Sequence, residues 1–183
     1  MYKSMVVTSA LMLLLSGCGP TKKGAAEPAK IQVTSSAFSQ DGLIPQPHTC
    51  DGVNISPDIS WSGVPSGTQS FALILEDPDA PEKAFTHWVV FNLPSTTIDL
   101  PQAISEDKIS ELGAAQGVND FGKLGYGGAC PPVGDKAHRY VFTLYALNKK
   151  LDLASGASKD DVIKAMEGHI IGQGSLTGTY VRS

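Results

Sequence analysis

The chain has 183 residues, 42% hydrophobic and 17% charged, enough for one globular domain with a sizeable core plus extra segments. Its net charge of -4, with 14 scattered lysines and arginines, excludes a nucleic-acid binder, because neutralising phosphates takes a clustered basic face. The 19 glycines and 12 prolines predict frequent turns and therefore a strand-rich fold.

The N-terminus reads as a targeting segment. Met1-Tyr2-Lys3 is a basic start, Met5 to Leu15 is an apolar run too short to span a bilayer, and Leu15-Ser16-Gly17-Cys18 is a processing site. That tetrapeptide resembles a bacterial lipobox, which implies a signal peptide over residues 1–17 and an acylated Cys18 as the membrane anchor. A plain signal peptide or an uncleaved segment is the alternative. Gly19, rather than Asp, follows the cysteine, and the resemblance then implies a lipid-anchored protein of the bacterial cell envelope, on the outer membrane facing the periplasm. Residues 18–30 are small, charged and proline-containing, without apolar period, so they predict a flexible tether. The folded domain is expected over residues 31–183.

Ile31 to Ser35 alternates like a half-buried strand, and Phe38 follows as a first large core residue. Asp41 to Asp58, with three prolines and two Asp-Gly steps, predicts loops and turns. Ile59-Ser60-Trp61 leads to a turn at Val64-Pro65-Ser66-Gly67. Phe71 to Leu75 and His87 to Leu93 are short apolar runs bounded by prolines, which favours buried strands over helices. Between them lies Asp77-Pro78-Asp79-Ala80-Pro81. Pro78 and Pro81 bias the residues before them toward extended backbone, so two carboxylates stand on a stiff loop beside a strand that opens on His87. From the residues alone this fits both the floor of a site and an ordinary turn.

No element is predicted between Pro94 and Ala115. Asn119 to Gly134 holds five glycines and a Pro-Pro pair, a backbone able to approach a ligand closely. It lacks the Gly-Lys-Ser/Thr of a nucleotide-binding phosphate loop. His138 to Leu147 is rich in aromatic and β-branched residues and predicts a long strand, with His138, Tyr140, Phe142 and Leu144 on one face. Ser158 as N-cap, Asp160 and Asp161 in the first turn, and an apolar stripe of Val162, Ile163, Ala165 and Met166 closed by Gly168 predict one helix. Ile170-Ile171 and Ser175 to Val181 predict a last strand, entered through Gly172-Gln173-Gly174.

Several of these segments, in this order, closely resemble the phosphatidylethanolamine-binding protein family, also called Raf-kinase-inhibitor-like proteins, in its bacterial YbhB/YbcL branch. The resemblance rests on Thr49-Cys50-Asp51-Gly52, Asn54-Ile55-Ser56-Pro57, the Asp77 to Pro81 loop with its histidine-initiated strand, Gly125-Tyr126-Gly127-Gly128, Pro131 to Leu147, and the closing Gly168-His169, Gly172-Gln173-Gly174 and Gly178-Thr179-Tyr180. It runs from about Ile31 to the C-terminus. It implies a mainly β fold, a large central sheet packed on a smaller one with few peripheral helices, and a small pocket at one end for a phosphate-type anion or phospholipid headgroup. By motif, the pocket is lined by Asp77, Asp79, Pro81, His87, Pro131, Pro132, His138 and Tyr140, with Gly128 and Cys130 at its rim. Two carboxylates repel an anion. The expected arrangement therefore has Asp77 or Asp79 holding His87 or His138, while the other histidine face, the Tyr140 hydroxyl and loop N–H groups receive the oxyanion.

With Cys18 assigned to lipid, Cys50 and Cys130 remain, an even number in an oxidising compartment, in loops the resemblance brings near the pocket; a Cys50–Cys130 disulfide is expected. Ala129 stands where bacterial members carry proline, which leaves that loop freer. The resemblance implies no catalytic residue, cofactor or metal. Two acids and two histidines nevertheless suit a metal-dependent hydrolase by ligand type, although no HExxH spacing is present. No Gly-x-Ser-x-Gly elbow signals a serine hydrolase. Some relatives inhibit proteases or signalling enzymes, so modulation of an unknown protein partner through the surface is a further alternative.

Overall fold

A computed structural model describes Met1 and residues 27–182; the lipobox, Cys18 and most of the tether lie outside the described residues. In chain order the strands are β1 (Ala29–Lys30), β2 (Gln32–Thr34), β3 (Gly42–Leu43), β4 (Ile59–Ser62), β5 (Ser70–Asp77), β6 (Phe85–Pro94), β7 (Asp99–Leu100), β8 (Ala115–Gln116), β9 (His138–Leu147) and β10 (Ile170–Tyr180). The helices are α1 (Glu106–Glu111) and α2 (Lys159–Met166), with one 3-10 turn at Gln46–His48. Seven strands form a large sheet in the order β1-β10-β9-β5-β6-β8, with β3 also on β10, and a second sheet is ordered β2-β4-β7. The expected two-sheet, mainly β architecture is the one observed.

The continuous apolar run of β5 follows from burial on both faces. Phe71, Leu73 and Leu75 point toward the small sheet and share a core with Ile59, Trp61, Val33, Phe142 and Leu144. Ala72 and Ile74 point the other way and pack with Val89, Phe91, Val162 and Met166, beneath α2. The molecule is thus layered as small sheet, large sheet and helix. β9 shows the alternation its sequence predicts, with His138, Tyr140, Phe142 and Leu144 buried and Arg139 exposed.

Ser158 caps α2 in a reciprocal capping box with Asp161. Helix α1 lies in the stretch where no element was predicted: it has six residues, a Ser105 cap and a single buried side chain, Ile109. That is too little for a period to show. Gly172 and Gly174 lie inside β10 rather than leading into it. A Cβ on Gly174 would fall 2.0 Å from the Ile31 carbonyl oxygen, so glycine there lets the crossing between β1 and β2 lie flat on the strand. Among the described residues no helix is long and apolar enough to cross a membrane.

Candidate functional site

The central strands β9, β5 and β6 lie side by side, and their registers bring four buried polar residues together at one end. β5 pairs with β9 through Leu75–Phe142 and Glu76–Val141, and with β6 through Glu76–Thr86 and Asp77–Phe85. Asp77, His87 and His138 are each 3% exposed or less, and Tyr140 is fully buried.

Alternation along β6 alone would send His87 the same way as Val89 and Phe91, under α2. A bulge prevents this. The pairing steps from Leu75–Trp88 to Glu76–Thr86 and leaves His87 as the extra residue. The imidazole consequently lies on the Tyr140 side, with ring centroids 5.2 Å apart in an edge-on contact. Phe85 and Phe121 stack edge-on against the same imidazole at 5.1 and 5.3 Å. His87 Nδ1 is 2.8 Å from the Gly127 carbonyl oxygen, an acceptor only, so that nitrogen donates and Nε2 carries the lone pair of the neutral ring. Burial in this aromatic surround pushes the His87 pKa down, against a smaller opposing pull from the Gly127 carbonyl and Asp77.

Asp77 is held on both oxygens. Oδ1 accepts the Asp79 N–H at 2.9 Å and Oδ2 accepts from His138 Nδ1 at 2.8 Å. The second histidine nitrogen, His138 Nε2, faces the Asp135 carboxylate at 3.5 Å. Asp79 turns elsewhere, accepting from the Arg139 backbone N–H and from its Nε and Nη2, each at 2.9 Å. The Arg139 hydrogen bonds hold the Asp79 carboxyl well below the usual range. Of the aspartate–histidine pairings open to the sequence, the structure makes Asp77–His138.

Tyr140 is the exception to this pairing. Its hydroxyl is buried and makes no hydrogen bond of good geometry, although the Asp77 carboxylate and the Cys130 backbone lie within hydrogen-bonding reach of it. Burial, reinforced by the Asp77 charge, raises its pKa and keeps the phenol protonated. An unpartnered buried hydroxyl carries a desolvation penalty of about 1–3 kcal/mol.

Two loops close over this end. Cys50 and Cys130 are joined by a disulfide with Cα atoms 5.3 Å apart. Thr49 bridges to Ala129, and the Cys50 N–H donates to the Ala129 carbonyl at 3.0 Å, so the loop expected to be freer at Ala129 is fixed by pairing. The Gly128 N–H donates to Asn54 Oδ1 at 2.7 Å, and a Cβ there would meet that same oxygen at 2.5 Å; only glycine lets the loops approach this closely. Pro131 is buried and Pro132 exposed; the Pro132 carbonyl accepts the Asp135 N–H at 3.2 Å, a turn that carries Asp135 back to His138. Pro81 stands further out, lining a cleft of about 410 Å3 with Ala80, Glu82, Lys83, Phe85 and Asp120. Phe85, which stacks on His87, joins that cleft to the buried cluster.

Sequence reasoning missed Asp135, Phe85 and Phe121, none of which carries a motif of its own, and Arg139, whose pairing with Asp79 spans sixty positions. Among the described residues no three of His, Cys, Asp and Glu converge as a metal-ligand set.

The family model described as phosphatidylethanolamine-binding protein matches residues 34–181. The chain belongs to that family. It is similar to a UPF0098 protein of Methanothermobacter thermautotrophicus, 53% identical over 146 residues that cover 80% of this chain and 95% of the relative. A UPF0098 protein of Aquifex aeolicus is 48% identical over 156 residues, covering 84% and 90%. Among solved structures, YbcL of Escherichia coli, described as a member of the mammalian phosphatidylethanolamine-binding family, superposes with a TM-score of 0.78 at 40% identity, covering 85% of this chain and all of that one. A family homologue from Chlamydia trachomatis gives 0.76 at 40%, covering 84% and 99%.

Proposed function

We propose that this protein is a binding protein without catalytic function, which takes a phosphate-type anion, free or as a phospholipid headgroup, at the buried end of β5, β6 and β9. The observation that carries the reading is the Tyr140 hydroxyl, protonated, fully buried and without a partner, beside the Asp77–His138 pair and the edge of His87. A buried donor left unmatched in a polar cluster calls for an oxygen from outside the chain, a ligand's or a water's, and here the surrounding Asp77, His87 and His138 favour the ligand. Asp77 acts indirectly, fixing the His138 ring by its Nδ1 so that Nε2 is the nitrogen a ligand meets.

The proton balance sets the pH dependence. His87 Nε2 is a lone pair in the neutral ring, and burial holds the His87 pKa below its ordinary value. An oxyanion against that nitrogen needs a proton, brought by the imidazole or by the phosphate, whose second pKa is about 6. Binding above that pH therefore takes up a proton, and affinity rises as pH falls. Calorimetric titration with phosphoethanolamine is expected to give at least several-fold tighter binding at about pH 6 than at about pH 8. Equal affinities would remove the protonated contact.

The same reading places the protein in the bacterial envelope, lipid-anchored through Cys18 and facing the periplasm. The Cys50–Cys130 disulfide supports an oxidising compartment. Mass spectrometry of the membrane fraction is expected to find a diacylated or triacylated N-terminal Cys18; a soluble product with an unmodified Cys18 would contradict the anchor.

A further inference from the structure

Resting on the anion-site reading, the geometry points to a resident competitor: Asp135 is an internal anion that stands against the ligand nitrogen of His138, at ion-pair rather than hydrogen-bond distance, and must leave before an external anion binds. His138 Nδ1 is committed to Asp77 at 2.8 Å, so Nε2 is the only nitrogen of that ring open to a ligand. Asp135 Oδ2 lies 3.5 Å from it. A carboxylate accepts and never donates, so this contact is attractive only with a proton on Nε2, which is also what a phosphate oxygen requires. Asp135 and the ligand therefore compete for one proton on one atom.

The surroundings suit a gate more than a permanent brace. The Asp135 side chain is 47% exposed, against 5% for Asp77, so water can solvate its carboxylate as soon as it swings out. Its backbone need not move. The Asp135 N–H is bonded to the Pro132 carbonyl, and the neighbouring Gly134 N–H to the Arg182 carbonyl, each at 3.2 Å, with Gly134 at φ +86°. Rotation of one side chain on a fixed turn opens the nitrogen. Of the other nearby charges, Asp77 is engaged with His138 and Arg139 with Asp79, while Lys136 acts on Asp79 through space. No other carboxylate is paired with His138 among the described residues. The consequence for the protein is selectivity by threshold, since weak or singly bonded anions fail to displace Asp135, whereas a ligand that also engages Tyr140 and His87 succeeds.

The test uses inorganic phosphate as the probe, titrated calorimetrically at fixed pH into the full folded domain and its Asp135→Asn and Asp135→Ala variants, with thermal unfolding confirming the fold. Nitrogen NMR of the His138 ring without phosphate reports whether Nε2 senses the substitution. The expected result is about five-fold or greater tightening of phosphate in both variants, the lower range of a coupling between competing groups, together with a shifted Nε2 resonance. Unchanged affinity overturns the competition. Weaker affinity also overturns it and makes Asp135 a group that holds the ring or the ligand. If neither wild type nor the variants bind phosphate, the anion-site reading itself fails, and the competition with it; a shifted Nε2 resonance would then mark a purely internal ion pair.

Discussion

The middle and the end of the same three strands are equally buried and chemically opposite. In the middle, Phe71, Leu73, Val90, Phe142 and Leu144 fill the space between the sheets, and the buried surface is apolar but for the Trp61 indole N–H, which also lacks a partner. Two or three residues further along, Asp77, His87, His138 and Tyr140 are just as inaccessible, yet each carries a polar group that burial penalises. Three of the four are matched inside the protein, by a carboxylate, a carbonyl and a backbone N–H. One is not. The difference teaches that burial by itself does not mark a core: the mid-strand region contributes stability, while the strand ends spend some of it on an arrangement completed from outside.

Substitutions in the two regions should separate these roles. Phe142→Ala removes a fully buried ring that also meets Phe38 at 5.9 Å; denaturant unfolding is expected to show a loss of about 3–5 kcal/mol, with phosphate affinity of the folded fraction little changed. Asp77→Ala inverts the balance. It leaves the Asp79 N–H and His138 Nδ1 without an acceptor, for a loss of about 1–3 kcal/mol, and frees the imidazole to rotate, so anion binding should fall below detection. A variant that lost stability and kept its affinity would make Asp77 a structural acid only.

The sequence made the mid-strand region plain and the ends only partly so. Apolar runs bounded by proline marked β5 and β6, alternation marked β9, and capping residues marked α2, because each signal is local and repeated. Strands of two residues, such as β1, β3, β7 and β8, hold too few positions for any period, and α1 buries one side chain. At the ends, residue types and family resemblance named Asp77, His87, His138 and Tyr140, but their roles depend on partners distant in the chain. The bulge that turns His87 toward Tyr140 is a property of the β5–β6 register and leaves no trace in β6 itself. Asp79 carried the same local signature as Asp77, and only the fold distinguishes the one bound to exposed Arg139 from the one bound to buried His138. Asp135 is an ordinary turn residue until Pro132 and Gly134 place it over the imidazole.

Tyr140→Phe is the smallest change and the sharpest test, because it deletes one oxygen atom and nothing else. Stability and phosphoethanolamine affinity should be measured on the same preparation at about pH 6. Since the hydroxyl makes no hydrogen bond, the variant is expected to be at least as stable as wild type, with a gain of up to about 1–3 kcal/mol, and to bind at least about ten-fold more weakly. A variant clearly less stable than wild type, with affinity unchanged, would mean that the hydroxyl serves the fold and that the strand ends are core after all.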